Sequence, residues 1–338
     1  MDLRSSDLQP IMSAATFSST VAFVNSAAVG WEASIPTQFN SFSEVSTLCG
    51  AILDDKSYPI LSSKQPLMVQ PFPTDFDTRT KWNNCTIIAK VGSQAGCGDC
   101  WAWSATQTFE SYSCIKGTLN NIELSKEDTA ECCNDALCGY SQSCTAGTPF
   151  AALTWMAHRG VVTGGSFNSS IGCKPYSLAP CKVTHNPNTP LPACHEPHPP
   201  PTLTCQTKCE NPNYTKSYVE DKFLGGGGLQ ANGLSYRDDN NTHAMQYMLE
   251  NGPIAATFSV MEDFPTYKGG IYKHTTGKFL GGHAITIVGW GVGENNTAYW
   301  TVKNSWSEFW GEKGYFRIQR GVDMVGIESH LTGLIKST

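Results

Sequence analysis

The 338-residue chain has no hydrophobic run long enough to cross a bilayer. Its longest apolar stretches, such as 284–290, fall far short of the roughly 20 residues a spanning helix needs. Charge is scarce: Asp, Glu, Lys and Arg make up 15% of the residues, with no basic run and a formal net charge of −6. That balance argues against nucleic acid as a partner. There are no internal repeats, and 40% apolar content with 31 Gly and 19 Pro excludes long disorder, coiled coil and collagen. The first residues, MDLRSSDLQPIM, lack the apolar core of a signal peptide. What remains is a mildly acidic globular chain whose length suggests two structural units.

Cysteine is in excess. Fourteen are present, and all but Cys49 lie between Cys85 and Cys209. Zinc sites and disulfides compete as explanations. Cys97-Gly-Asp-Cys100 has CxxC spacing, but neither a second CxxC nor paired histidines follow at the interval a zinc site uses. Five Asn-x-Ser/Thr sequons, at Asn84, Asn168, Asn213, Asn240 and Asn295, suit a secreted surface. Dense cysteine beside them favours disulfides and an oxidising compartment.

Residues 1–71 carry one cysteine and no sequon, and both features change after Pro73, which puts a boundary near Phe72. Residues 21–40 read as a weakly amphipathic helix with Phe23, Val24 and Trp31 apolar, either a packing arm or a detachable regulatory segment. Trp101, Ala105, Phe109 and Tyr112 recur at the period of one helix face, and Gly117 supplies a C-terminal stop after Lys116. The Pro-rich stretch 173–209 excludes a regular helix or central strand. After the Gly225-Gly226-Gly227-Gly228 connection, residues 242–251 read as helix and 254–260, 284–290, 299–303 and 315–319 as strands. The first half is helical and loop-rich, the second β-rich.

The segment Gln94-Ala-Gly-Cys97-Gly98-Asp99-Cys100-Trp101 is the most informative. A thiol at a helix N-terminus has its thiolate stabilised by the positive end of the dipole. Gly98 lets backbone N–H groups approach a carbonyl closely, and the Gln94 amide can join the Cys100 N–H as an oxyanion donor. The plain alternative is that Cys100 is half of another disulfide. Gly281-Gly282-His283-Ala284 sets an accessible histidine at a strand start, although a lone histidine is more often an ordinary surface residue. In Lys303-Asn304-Ser305-Trp306, the Asn amide oxygen can accept the imidazole N–H and fix the ring, while Trp306 keeps water from that bond.

In this order and company the residues resemble the papain family of cysteine peptidases, and within it the cathepsin B type. The resemblance covers nearly the whole chain. Val24-Asn25, Trp31 and Leu48-Cys49-Gly50 match before the boundary. Phe76-Asp77, Glu131-Cys132-Cys133, Gly172-Cys173-Lys174-Pro175-Tyr176-Ser177 and Gly326-Ile327-Glu328-Ser329 match after it. It implies an α+β, papain-like two-domain fold, with a helical left domain and a β-barrel-like right domain, preceded by a short helical propeptide. The propeptide would be 1–71 and the mature domain 72–338, with an occluding-loop-like insertion at about 173–209. The family pairing implies disulfides Cys85–Cys114, Cys97–Cys144, Cys132–Cys205, Cys133–Cys138, Cys173–Cys209 and Cys181–Cys194. Cys100 and Cys49 are then left unpaired.

The implied activity is that of a cysteine endopeptidase made as a zymogen. Cys100 would be the nucleophile, His283 its base, Asn304 the orienting group and Gln94 an oxyanion donor. Gly98, Gly147, Gly282, Trp306 and His330 would face the substrate, with no metal or organic cofactor. Implied partners are protein and peptide substrates, the chain's own propeptide as inhibitor, and cystatin-type inhibitors; the location is lysosomal, vacuolar or secreted. Four departures modify this picture. Asp99 stands where the pattern has a small residue, and is expected to cap the helix. His330 replaces a carboxylate that accepts arginine, so hydrophobic P2 residues should be preferred. Val183 and Thr184 replace two histidines that grip a C-terminal carboxylate, although His185, His195 and His198 lie nearby. The loop's two ion pairs read Val183 with Ser93 and Leu191 with Phe309, the latter capable of an apolar contact. Weak dipeptidyl-carboxypeptidase activity follows. A catalytically silent papain-like binding protein and a disulfide-rich structural protein are the other readings, and four side chains suited to distinct catalytic roles argue against both.

Overall fold

The computed structural model describes residues 16–53, 58, 71–180, 203–234 and 241–336. Its first element, α1 (Phe17–Ala27), opens on a capping box between Thr16 and Ser19. The pattern predicts a helix over 21–40, but the structure ends it at Ala27. Ala28 and Gly30 take left-handed backbone, with φ of 49° and 90°, which no helix can continue. The chain turns there into β1 (Trp31–Ala33), so Trp31 is a strand residue. Its ring packs on Tyr267 and Tyr272, and its indole N–H donates to the Lys273 carbonyl at 3.0 Å. A short helix, α2 (Phe42–Thr47), capped by Ser41, leads to the segment 48–53.

After β2 (Phe76–Asp77) and α3 (Thr78–Lys81) comes the helical half. The centre of it is α4 (Cys100–Ile115), in which every residue from Cys100 to Cys114 is buried. A helix buried on all sides needs protein partners for its polar groups, and several in α4 find them. Ser104 Oγ donates to the Ile285 carbonyl at 2.6 Å, Thr106 meets Thr129 at 3.0 Å, and Glu110 holds Lys126 at 2.8 Å. Around it pack α5 (Lys126–Cys132), capped by Ser125, and α6 (Pro149–Arg159), with Thr148 as cap and Pro149 in the first turn. Trp101, Ala105, Phe109, Leu153, Met156 and Val161 form their common core. Disulfides join Cys85–Cys114, Cys97–Cys144, Cys132–Cys205, Cys133–Cys138 and Cys173–Cys209. The pair Cys181–Cys194 lies outside the described residues.

Gly225 to Gly228 all take positive φ and deliver the chain to β3 (Leu229–Leu234). The second half holds α7 (Thr242–Asn251), β4 (Ile254–Met261), β5 (Tyr267–Tyr272), β6 (Phe279–Val292), β7 (Ala298–Lys303), β8 (Tyr315–Gln319) and β9 (Leu331–Lys336). The strand order is β1-β5-β8-β7-β6-β4-β9-β3, with β2 on β6. No ladder among the described residues joins β1 to β3, so the sheet is open and barrel-like only in its course. The long β6 begins earlier than its apolar pattern suggests. Gly281 and Gly282 already pair with Val260 and Ser259 of β4, which places His283 inside the strand instead of at its start. Phe258, Ile285, Ile287, Trp300 and Phe316 fill the core on this side. No helix among the described residues is long and apolar enough to cross a membrane.

The fully buried Lys174 ties the helical half together. Its ammonium lies 2.8 Å from Glu131 and 3.4 Å from Asp128, and donates to the Gln206 carbonyl at 2.7 Å. Lys222 holds the other Asp128 oxygen at 2.8 Å. Removing one member of a buried pair strands the other charge. Lys174→Met leaves Glu131 without its cation, and is expected to lower the unfolding free energy by about 3 kcal/mol in a urea titration. An unchanged midpoint would show that this network does not carry stability.

Candidate active site

Cys100 is the first residue of α4 and is completely buried. His283, on β6, and Asn304, just beyond β7, meet at 2.8 Å through Nε2 and Oδ1. Asn304 Oδ1 is an acceptor, so Nε2 carries the proton and Nδ1, which makes no hydrogen bond, is left basic. The same Oδ1 accepts the Ser305 N–H at 2.8 Å, which holds the amide in this orientation. Trp306, itself buried, lies with its ring 4.8 Å from the imidazole and tilted 34°. Main-chain groups of Ala284, Gly50 and Trp101 oppose the effect of burial on the Cys100 thiol.

Gln94 is fixed at every polar atom. Its N–H donates to the Ser305 carbonyl at 2.8 Å, and its Oε1 accepts from Ser305 Oγ at 2.7 Å. Its Nε2 donates to the Cys97 carbonyl at 2.6 Å and to the Leu48 carbonyl at 3.0 Å. The second acceptor comes from the N-terminal segment, whose peptide carbonyl thus occupies the side-chain donor beside Cys100. Ser305 was not singled out from the sequence, although it stands inside the Asn304–Trp306 motif.

The rest of that segment crosses the same cleft. Gly147 N–H donates to Gly50 at 3.0 Å, Ala51 N–H to Gly282 at 3.0 Å, and Ile52 N–H to Gly147 at 2.9 Å. Each contact is backbone on backbone, and at Gly50 and Gly282 the approach is too close for a Cβ. A Cβ on Gly50 would lie 1.9 Å from the Gly98 carbonyl oxygen, and one on Gly282 would lie 2.1 Å from that of Ala51. Gly98, Gly147 and Gly282 thus all bear on one stretch of chain. Further along, Tyr58 stacks on Phe150 at 4.4 Å with 7° between the planes, and meets His330 edge-on at 5.8 Å. Phe150, in the first turn of α6, was not singled out from the sequence.

Burial dominates the electrostatics of this closed site. It pushes the Cys100 thiol up to about 12 and the His283 imidazole down to about 4, so both are neutral. Cys49, beside them, is raised as well, by burial and then by Cys100; its thiol donates to the Val45 carbonyl at 3.2 Å. Asp99 corrects an expectation. It occupies the N-cap position, but with φ −91° and ψ 24° it lacks the extended backbone a capping side chain requires, and it makes no cap hydrogen bond. Its carboxyl is buried and turned toward Tyr176, whose hydroxyl lies 3.0 Å from Oδ2. The carboxylates of Glu127, Glu131 and Glu210 converge within 4.8 Å, where Lys174 supplies the cation. Val183, Thr184, His185, Leu191, His195 and His198 lie outside the described residues. Of their anticipated counterparts, Ser93 bridges to Trp306 and Phe309 is partly exposed.

Residues 72–335 match the papain family cysteine protease family. The chain is 42% identical over 273 residues to cathepsin B-like cysteine proteinase 4 of Caenorhabditis elegans, covering 80% of this chain and 77% of that protein. It is 38% identical over 330 residues to a cathepsin B-like cysteine proteinase of Schistosoma japonicum, covering 94% and 90%. Among solved structures it resembles procathepsin B S9 of Trypanosoma congolense, with a TM-score of 0.74, 27% identity and coverage of 94% and 96%.

A thiol pushed up to about 12 is almost wholly protonated at pH 7.5. Iodoacetamide should therefore alkylate Cys100 in the full chain about a thousandfold more slowly than a free peptide cysteine. Peptide mass spectrometry of the time course measures this, and a rate like that of a free cysteine would contradict the closed-site electrostatics.

Proposed function

The chain belongs to the papain family of cysteine proteases, and on that premise we propose that Cys100, His283 and Asn304 hydrolyse peptide bonds once residues 1–71 are removed as a propeptide. It is a cathepsin B-like cysteine proteinase; the assignment of individual steps is the proposal. Withdrawal of the segment 48–53 readmits water to the cleft and relaxes the burial that keeps both groups neutral. His283 Nδ1 then takes the Cys100 proton, and the N-terminus of α4 favours the thiolate that results. The sulfur attacks the substrate carbonyl, whose oxyanion is held by Gln94 Nε2 and the Cys100 N–H. The imidazolium returns its proton to the leaving amine, and water, activated by the same nitrogen, releases the acyl group from sulfur. Asn304 keeps Nε2 protonated throughout, and so keeps the basic nitrogen on the other side of the ring.

One observation carries this reading. The amide of Gln94 already binds a peptide carbonyl, that of Leu48, in the closed form. The site recognises the group on which it would act. Cys100→Ala should abolish peptide turnover and leave the fold intact, since this cysteine is unpaired. Gln94→Ala should lower kcat by about two to three orders of magnitude. A Cys100→Ala enzyme that turns over peptides at the wild-type rate removes Cys100 as the nucleophile, and an activated wild-type chain without turnover would instead be a papain-like binding protein.

The finer specificity rests on the subsite lined by Phe150 and His330. With an imidazole where related enzymes carry a carboxylate, P2 arginine gains no ion pair, and the apolar face of Phe150 suits hydrophobic side chains. Valine and threonine at 183 and 184 supply no positive charge for a C-terminal carboxylate, so endopeptidase cleavage should outweigh release of dipeptides. Partners are then protein and peptide substrates, with the propeptide and cystatin-type proteins as inhibitors. The five disulfides suit a secreted or lysosomal oxidising compartment. One peptide panel checks both specificity features. At pH 5, P2 phenylalanine or valine should outperform P2 arginine, and a free C-terminal acid should give no strong advantage over its amide.

A further inference from the structure

Asp99 is the residue at which this chain leaves the family's cysteine signature, and its surroundings do not suit a carboxylate. The side chain is buried and Oδ1 has no hydrogen-bond partner. Oδ2 lies 3.0 Å from the Tyr176 hydroxyl, and that hydroxyl lies 2.9 Å from the main-chain carbonyl of Gln94. A phenol has one proton and two acceptor sites. It cannot donate fully to both oxygens. The chain of contacts is complete only if Asp99 carries a proton, donating from Oδ2 to Tyr176, while Tyr176 donates to Gln94.

The groups facing Asp99 include no cation. Trp103 packs edge-on against Tyr176 at 5.1 Å, Glu127 lies on α5, and Cys100 follows in sequence; none brings a positive charge. Burial holds the Asp99 carboxyl well above the usual carboxylate range, outweighing the opposing hydrogen bonds of Tyr176, its own main chain and Trp103, with a smaller push from Glu127. An ionised Asp99 would also push the Cys100 thiol further up. Meanwhile the far end of the chain is a point under strain. Ala95, directly after Gln94, has φ of 50°, a left-handed conformation that costs alanine energy. Gln94 is anchored on one side through Ser305, and on the other its carbonyl accepts from Tyr176 and from Cys97 N–H at 3.2 Å. Tyr176 is itself fixed, its N–H bound to Gly165 at 2.9 Å and the next residue, Ser177, bound to Glu127.

We propose that Asp99 is a neutral carboxylic acid that acts through Tyr176 to position Gln94, the oxyanion donor, without setting a charge against the nucleophile. It is a positioning residue, and it touches no substrate. The role rests on the peptidase reading above, but its proton can be measured without activity.

The first measurement uses the full chain carrying Cys100→Ser, with and without Asp99→Asn. Asp is ionised in the unfolded chain above a pKa of about 3.9. A carboxyl that is neutral when folded therefore binds a proton on folding, and its contribution to stability, complete below that value, is lost as pH rises. The folding constant of the Cys100→Ser chain, relative to its Asp99→Asn derivative, should fall about tenfold between pH 5 and pH 6. A ratio independent of pH would show an ionised Asp99 and overturn the proposal. The second measurement uses the activated enzyme. Asp99→Ala and Tyr176→Phe should each lower kcat about tenfold with KM unchanged, and the double variant should be no worse than either. Asp99→Asn, whose amide can still donate to Tyr176, should restore kcat. Unchanged kcat in both single variants would remove the positioning role even if the proton is present.

Discussion

The contact between α4 and β6 is the constraint on which the site depends. One element carries Cys100 and the other His283, and they come from residues almost two hundred positions apart. Their spacing is set by polar bonds inside an otherwise apolar interface: Ser104 to the Ile285 carbonyl, and Thr286 Oγ1 to Gln107 Oε1 at 3.1 Å. Such bonds are costly to leave unmade when buried, so they fix register more sharply than apolar packing would. Ser104 stands one turn beyond Cys100, and Ile285 two residues beyond His283. Locking the first pair in register locks the second. The ladder of β6 with β7 then extends the constraint to Asn304, and the Ser305–Gln94 bonds carry it back to the loop before α4.

Much of this was legible in the sequence, and the exceptions have physical causes. The helix period from Trp101 to Tyr112 and the strand patterns near 254, 299 and 315 correspond to elements of the structure within a residue or two. These segments are long, regular and buried, so local pattern and tertiary demand agree. The errors fall where backbone conformation is decided by something other than pattern. A left-handed Ala28 stopped the first helix, and alanine gives no sign of that choice. Gly281 and Gly282 lengthened β6, because glycine is indifferent to the strand that recruits it. Cys100, His283, Asn304 and Gln94 could be singled out because each motif names a chemical role. Ser305, Tyr176 and Phe150 could not, because they act by contact with residues far away in sequence.

Phe150 and Asp99 are the two places where this chain's own chemistry is most visible. The first lays an aromatic face against Tyr58 where the cleft ends. The second inserts a carboxyl beside the nucleophile, a substitution that looks unfavourable from sequence alone. In an exposed loop it would be ionised and would oppose the thiolate. Buried against Tyr176, it need not be. The cost of a charge in that environment exceeds the cost of a proton, so burial turns an apparent liability into a hydrogen-bond donor.

The same reasoning bears on the closed cleft, in which the side chains of the proposed mechanism are already in position. Asn304 holds His283, and Ser305 holds Gln94. What the segment 48–53 changes is solvation. A thiolate and an imidazolium are two charges, and their attraction offsets the loss of hydration only where water or directed dipoles remain close. With Leu48 on the Gln94 amide and Gly50 against Gly98, those dipoles are spent on the segment and water is shut out. Neutral Cys100 and neutral His283 are then the stable pair. On the proposed mechanism, inhibition by this segment needs no distortion of the site, and a change in occupancy of one cleft is sufficient to reverse it.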